Sequence, residues 1–224
     1  MTLALVPVKR LGAAKSRLRG ELGAQADELT LAMLADVLDA LVASPQLERV
    51  CVVTPDAAVA QVARAAGANA RVAEDAGLNE GIAAACEELA REDEAVLVVL
   101  GDVAGATPRD FAALFDALAQ LGRRGVVLAP SRDGGTAALL RAPHSVMRTR
   151  FGAQSAAAHR AIASAAGAAF REVARPALAI DLDRPEDLAA LLASDSAAAP
   201  RTRALLARLG YAAAPPGKAG SDPE

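Results

Sequence analysis

Asp181 and Asp183 stand one residue apart at the end of the apolar run "ALAIDLD", and "RPEDL" follows them. If the segment continues as a strand, both carboxylates share one face and Leu182 points the other way. Close carboxylates repel unless a cation or a proton sits between them, so the pair could form part of a cation site. The same letters also read as a helix entry, because acidic residues are favoured at the positive end of a helix dipole. Asp102 poses a similar choice. It comes just after the apolar run "AVLVVLG", where an aspartate can form a turn, cap a helix or ligate a metal. Positive charge gathers in "VKRLGAAKSRL", which holds Lys9, Arg10, Lys15 and Arg17. Gly12 alone cannot make a glycine-rich phosphate cradle. These cations are therefore either a solvated loop or an anion site built from side chains.

Taken together, Asp102, Asp181 and Asp183 describe an oxygen-only site suited to Mg²⁺, which takes carboxylates, water and substrate phosphates as ligands. Zinc is disfavoured, since Cys51 and Cys86 lack a C-x-x-C spacing and only His144 and His159 could join them. On the opposite side of any such site the chain offers "APSRDGGTAALL", with a glycine pair before Thr136, and "RFGAQSAAAHRA", with Gly152 ahead of a helix that starts near Ser155. A helix N-terminus with a hydroxyl is a ready anion site. Ser155 and His159 share a helix face at i, i+4, the spacing of a nucleophile and its base. No G-x-S-x-G elbow accompanies them, and a serine at a helix start is more often a cap.

The elements that must position these residues follow from periodicity. Short apolar runs predict strands at Leu3 to Val8, Arg49 to Thr54, Ala70 to Ala73, Ala95 to Leu100, Gly125 to Ala129, Thr136 to Leu140, Ala168 to Val173 and Ala177 to Asp181. Helical spacing fits Asp27 to Val42, Ala57 to Ala66, Asn79 to Ala90, Pro108 to Leu121 and Ser155 to Ala165. In "TPRD" Thr107 can cap a helix, with Pro108 in its first position and Asp110 returning the bond. The alternation predicts an α/β fold of parallel strands joined by crossover helices. In such sheets ligands bind beyond the carboxyl ends of the strands, which is where the loop after the first strand, Asp102 and Asp181/Asp183 all fall.

Composition narrows the class. A chain of 224 residues fits one domain, here expected over 1–211, with 212–224 ("AAPPGKAGSDPE" and the alanine before it) as a disordered tail poor in bulky apolar groups. Net charge of −3 and 2% aromatic residues argue against a general affinity for nucleic acid. No run approaches the roughly 20 apolar residues of a membrane span, and no leader pattern opens the chain, so a cytoplasmic protein with small-molecule substrates is expected.

The motifs "PVKRLGAAKSRL", "GLNEG", "GDVAGA", "APSRDGGTAAL", "RFGAQSAAAH" and "DLDRPEDL" occur in an order that resembles the guanylyltransferases of coenzyme F420 biosynthesis, over roughly Leu3 to Leu192. Those enzymes activate 2-phospho-L-lactate, phosphoenolpyruvate or 3-phospho-D-glycerate with GTP. The resemblance implies a nucleotide-diphospho-sugar-transferase-like, Rossmann-like three-layer α/β/α fold with a mixed, mostly parallel sheet, and a homodimer. It implies that Asp102, Asp181 and Asp183 hold two Mg²⁺ ions, and that Lys9, Thr136, Gly152 and Ser155 receive the acceptor phosphate. It further implies that Lys15 and then Arg17 face the GTP phosphates, while Gly77 and Asn79 meet the nucleoside. Ala104 stands where the family commonly has proline, which leaves the metal loop without that rigidity.

The implied mechanism is direct displacement at the GTP α-phosphorus, with no general base, because a phosphate oxygen is already anionic at neutral pH. Phosphoenolpyruvate is the expected acceptor. A nucleotidyltransferase acting on a sugar phosphate or the molybdenum cofactor would share the fold, but such enzymes carry a glycine-rich first loop. A non-catalytic nucleotide-binding module on the same fold is the third possibility, and the presence of all three aspartates speaks against it.

Overall fold

The computed structural model describes residues 2–13, 15–122, 124–194 and 198–211. The expected tail, 212–224, lies outside the described residues. The sheet strands are β1 (Thr2–Pro7), β2 (Arg49–Thr54), β3 (Asn69–Val72), β4 (Ala95–Val99), β5 (Gly125–Pro130), β6 (Thr136–Ala142) and β7 (Ala169–Glu172). The helices are α1 (Ser16–Leu22), α2 (Gln25–Val42), α3 (Ala57–Ala65), α4 (Leu78–Leu89), α5 (Pro108–Ala119), α6 (Ser155–Ala165), α7 (Pro176–Ala179), α8 (Pro185–Ala193) and α9 (Pro200–Arg208), with a 3-10 turn at His144–Val146.

The seven strands run in the order β3-β2-β1-β4-β6-β5-β7. β6 is antiparallel to both β4 and β5, and the remaining pairs are parallel. The short loop 131–135 dictates the exception, because a parallel return needs a crossover of a dozen or so residues whereas a tight loop closes only a hairpin. The sheet is therefore mixed, and its reversal has a consequence for the site. The start of β6 lies beside the end of β4, where Leu100 N–H reaches Ala137 O at 3.1 Å. Thr136 is thus carried to the edge from which Asp102 projects.

The sheet is buried on both faces, as parallel strands under helices must be. Along β1, Ala4 and Val6 join one apolar cluster with Leu34, Leu38, Val59 and Phe111, while Leu3 and Leu5 join another with Ile82, Phe151 and Ala163. A third cluster, with no strand residue in it, packs Leu18, Met33, Leu182, Leu188 and Leu206. Helix α9, which periodicity did not identify, docks there through a polar bond set. Asp36 of α2 accepts from Thr202 N (2.8 Å), Thr202 Oγ1 (2.7 Å) and Arg201 N (3.1 Å). A carboxylate from another helix thereby caps α9 and complements its dipole.

The strand expected at Ala177 to Asp181 is not one. Pro176–Ala179 forms the helical turn α7, with Pro176 at its first position, and the chain then runs extended without a ladder partner. Proline at the first helical position presets φ for that turn, and the four-residue apolar run that follows fits a buried turn as well as a strand. The expected alternation survives: Leu182 is buried in the third cluster, while Asp181 and Asp183 on either side of it are partly exposed. At α5, Asp110 Oδ2 accepts from Thr107 N (3.0 Å) and Thr107 Oγ1 (2.6 Å), the returning bond that "TPRD" predicts.

Candidate active site

Lys15 is the hub of the cleft. Its Nζ lies 2.5 Å from Asp102 Oδ2 and 3.9 Å from Asp183 Oδ1, with the Lys15 side chain 7% exposed. Arg17 Nη1 bonds Asp183 Oδ2 at 2.8 Å from a far more exposed position. Lys15 adopts a left-handed backbone, φ 54° and ψ 44°, at the start of α1. For a residue with a Cβ this costs about 1–2 kcal/mol, and such strain persists only where surrounding contacts impose it. Here the preceding loop is pinned by the residue that caps α3 and by one inside α2, Leu11 N–H to Asp56 (3.0 Å) and Gly12 N–H to Asp27 (2.9 Å).

The segment after α7 answers the question its two aspartates posed. Asp187, inside α8, accepts from Arg184 N (2.8 Å) and Asp183 N (3.1 Å), so the helix entry is served by Asp187. Asp183 lines the cleft with its carboxylate paired to Lys15 and Arg17, while Asp181 is not among the residues lining it. Leu182 N–H to Asp102 O, 3.4 Å, ties this segment to the loop after β4. That loop is held without the family's proline: Val103, Ala104 and Ala106 are buried, and Ala104 packs in the third cluster. Gly101 packs closely on the first strand's end, since a Cβ there would lie 3.1 Å from Val8 Cγ2.

A cleft of about 340 Å³ is lined by Lys9, Lys15, Asp102 and Asp183 together with Val8 and Met33. An adjoining groove runs from Lys9 over Val53 and Thr54 to Gly77, Leu78 and Gly81. Gly77 takes φ 96°, a region that favours glycine, and a Cβ there would meet Glu80 Oε2 at 2.7 Å. Asn79 faces elsewhere. Its amide donates to Phe151 O (3.0 Å) and accepts from Phe151 N (2.7 Å), which locks the start of α4 to the loop before α6.

Thr136 and Ser155 form a second group, outside the residues lining that cleft. Ser155 Oγ and Thr136 Oγ1 are 3.0 Å apart, and Thr136 Oγ1 lies 3.0 Å from His159 Nδ1. His159 Nε2 accepts from Arg150 N at 2.8 Å, so neither ring nitrogen is bonded to Ser155 and the pair is not a nucleophile and its base. Burial, and then the charge of Arg141, pull the His159 pKa down to about 4. Two N–H groups of the first α6 turn are already engaged, Ser155 N to Gly152 O (3.2 Å) and Ala156 N to Gly134 O (3.2 Å). Gly152, at φ 135°, has open space where a Cβ would stand.

Among the described residues, no group of three or more His, Cys, Asp or Glu side chains is gathered tightly enough to hold a metal by itself. Lys15 stands between Asp102 and Asp183 instead. Two observations nonetheless fit a divalent cation completed by substrate oxygens. Asp102 Oδ1 is buried and has no hydrogen-bond partner among the described residues, and an orphaned carboxylate oxygen is costly. Asp181 has its pKa raised first by burial and then by the negative charges of Asp102 and Asp133. Asp133 is a carboxylate that sequence reasoning passed over. It accepts from Ser131 Oγ (2.6 Å) and Gly135 N (2.9 Å), and these bonds hold it below the usual aspartate range. An aspartate two residues before a glycine in a hairpin loop is the signal that could have identified it.

The family described as Guanylyl transferase CofC like matches residues 2–221. The phosphoenolpyruvate guanylyltransferase of Sphaerobacter thermophilus is 40% identical over 190 residues, 84% of this chain and 90% of that protein. The 3-phospho-D-glycerate guanylyltransferase of Phenylobacterium zucineum is 40% identical over 196 residues, 84% of this chain and 88% of the relative. In structure the chain is similar to a Desulfovibrio desulfuricans G20 protein assigned as a nucleotide-diphospho-sugar transferase (TM-score 0.71, 19% identity, 93% and 95% of the two chains). A nucleotidyl transferase from Methanothermobacter thermautotroptrophicus also superposes (TM-score 0.61, 18% identity, 84% and 94%). With a mixed α/β sheet, a charged cleft at its strand ends and a family match spanning nearly the whole sequence, the chain belongs to the CofC-like guanylyl transferases.

Proposed function

We propose that the protein transfers GMP from GTP to the phosphate of a small phosphoacid and releases diphosphate, as a step of coenzyme F420 biosynthesis in the cytoplasm. Phosphoenolpyruvate is the acceptor of choice, with 2-phospho-L-lactate and 3-phospho-D-glycerate as the alternatives. Relatives named for phosphoenolpyruvate and for 3-phospho-D-glycerate support that set. The observation that carries the reading is the Lys15 ammonium held between Asp102 and Asp183 in a cleft that Lys9 also lines. We read 1–211 as one catalytic domain and the active species as a homodimer.

The difficulty of the reaction is electrostatic, because two polyanions must meet. Lys15 lies where it can neutralise the GTP phosphates, with Arg17 beside it at the more exposed rim. Lys9, which lines the same cleft, serves the acceptor, whose phosphate is received by Thr136, Ser155 and the open space at Gly152. Gly77 and its groove take the nucleoside. Asn79 supports that segment through Phe151 rather than by touching the base. Asp102, Asp181 and Asp183 are the residues that would hold Mg²⁺, two ions in this reading, supplying Lewis-acid charge to the phosphates.

The chain itself need provide no base. An acceptor phosphate oxygen, already ionised, forms a bond to the α-phosphorus while the bond to the bridging oxygen of the β-phosphate breaks and diphosphate leaves with the electron pair. No serine or histidine takes a covalent part, in keeping with the bonding of Ser155 and His159 described above. A competition assay with GTP, Mg²⁺ and the three phosphoacids, read by mass spectrometry, tests the reading. A guanosine-diphospho-linked acid is expected, and replacing GTP by ATP, CTP or UTP should abolish it. Absence of product with every acid, or a guanylylated protein, would overturn it.

A further inference from the structure

We propose that His159 is a positioning residue of the acceptor site. Its Nδ1–H, fixed in one tautomer, occupies Thr136 Oγ1 and so leaves one hydroxyl hydrogen of the Thr136–Ser155 pair for the acceptor phosphate. The inference rests on the reading that Thr136 and Ser155 receive that phosphate.

Backbone N–H groups only donate, so the 2.8 Å contact between Arg150 N and His159 Nε2 requires a lone pair on Nε2. A neutral imidazole then carries its proton on Nδ1, which lies 3.0 Å from Thr136 Oγ1. The threonine oxygen must accept there. Ser155 Oγ is 3.0 Å from the same oxygen, and only one hydroxyl hydrogen can lie between the two. Thr136 and Ser155 together own two such hydrogens, so one remains without a partner among the described residues. If Ser155 donates inward, it is the threonine's, and in the reverse case the serine's.

With the opposite tautomer this would fail. A Nδ1 lone pair would draw the Thr136 hydrogen inward, Thr136 would then accept from Ser155, and no hydroxyl hydrogen would be left for a ligand. Neutrality of the ring is secured by its full burial, which also keeps its pKa low. Orientation is secured from both sides. The imidazole and the Phe151 ring are T-shaped, with centroids 5.0 Å apart and planes at 73°, and the Phe151 backbone is gripped by Asn79. Because the Ser155 and Ala156 N–H groups already serve Gly152 and Gly134, the hydroxyl hydrogen is the donor this buried pair keeps for an anion that reaches it.

The test pairs two variants with one measurement on the unaltered protein. His159→Asn keeps an N–H near the Nδ1 position, whereas His159→Gln keeps an acceptor for Arg150 N but loses the donor to Thr136. We expect His159→Gln to raise the acceptor KM about tenfold or more, the scale of one lost hydrogen bond to a charged group, with the GTP KM unchanged. His159→Asn should stay within about threefold of the wild-type acceptor KM by the same reasoning. Equal losses in the two variants, or none in His159→Gln, would overturn the proposal. Should either variant fail to fold, ¹⁵N-labelled histidine in the wild-type protein decides, the chain having only His144 and His159. A Nδ1-protonated, Nε2-bare ring is expected, and the other tautomer refutes the assignment. Wild-type protein that makes no guanylylated acid would sink the function instead, so the two failures are distinguishable.

Discussion

Lys15 Nζ and Asp102 Oδ2 meet at 2.5 Å across 87 positions of chain. The contact joins the loop after β1 to the loop after β4, neighbours in the sheet. One member is strained into a left-handed conformation to reach it. The other keeps a second oxygen buried and unbonded. Lys15→Met, which keeps length and removes charge, should lower kcat about 10²- to 10³-fold, the cost of losing one preorganised electrostatic group. Steady-state diphosphate release measures this, and a loss under about threefold would separate Lys15 from the chemistry.

Arg17 makes a contrasting case. Its side chain is 60% exposed, so the ion pair with Asp183 contributes at most about 1 kcal/mol to stability. Arg17→Ala should leave the urea midpoint nearly unchanged and raise the KM for GTP. A large drop in stability with an unaltered KM would make it a structural residue.

Asp36 lies at the other extreme. Its buried carboxylate takes three hydrogen bonds from the start of α9. Asp36→Ala leaves those donors without that acceptor and should cost about 3 kcal/mol. Denaturant unfolding checks the figure, and a cost below about 1 kcal/mol would mean that α9 holds by its apolar face alone.

His159 gives the fold a pH dependence of known sign. Its folded pKa is lowered from 6.5 to about 4. The unfolded chain therefore binds the proton more readily as pH falls. The histidine's contribution is complete above pH 6.5 and is lost between there and about pH 4, on the order of 3 kcal/mol in all. Unfolding free energies measured across that window should slope upward with pH in wild type and more gently in His159→Gln. Parallel slopes would contradict the buried, neutral imidazole.

Much of this was legible in the chain because local pattern and tertiary outcome agree. β2 and α6 have the bounds periodicity gives them, Arg49–Thr54 and Ser155–Ala165. Asp102 could be placed at a strand end because "AVLVVLG" is apolar throughout. What escaped depends on partners distant in sequence. The antiparallel turn of β6 follows from the length of one loop, and α9 is capped by an aspartate 166 positions away. Asn79 reads as a ligand-facing side chain until Phe151 is placed against it. Around Asp181 alternation is the same whether or not a neighbouring strand exists, so the pattern located the side chains correctly while the strand itself is absent.

If Asp102 holds charge where GTP and its acceptor meet, diphosphate release from GTP and phosphoenolpyruvate must depend on that charge, which Asp102→Asn beside wild type measures. The substitution changes charge with almost no change of shape. The account predicts turnover lower by about 10³-fold or more, with circular dichroism and the unfolding midpoint preserved. Turnover within a few-fold of wild type would contradict it.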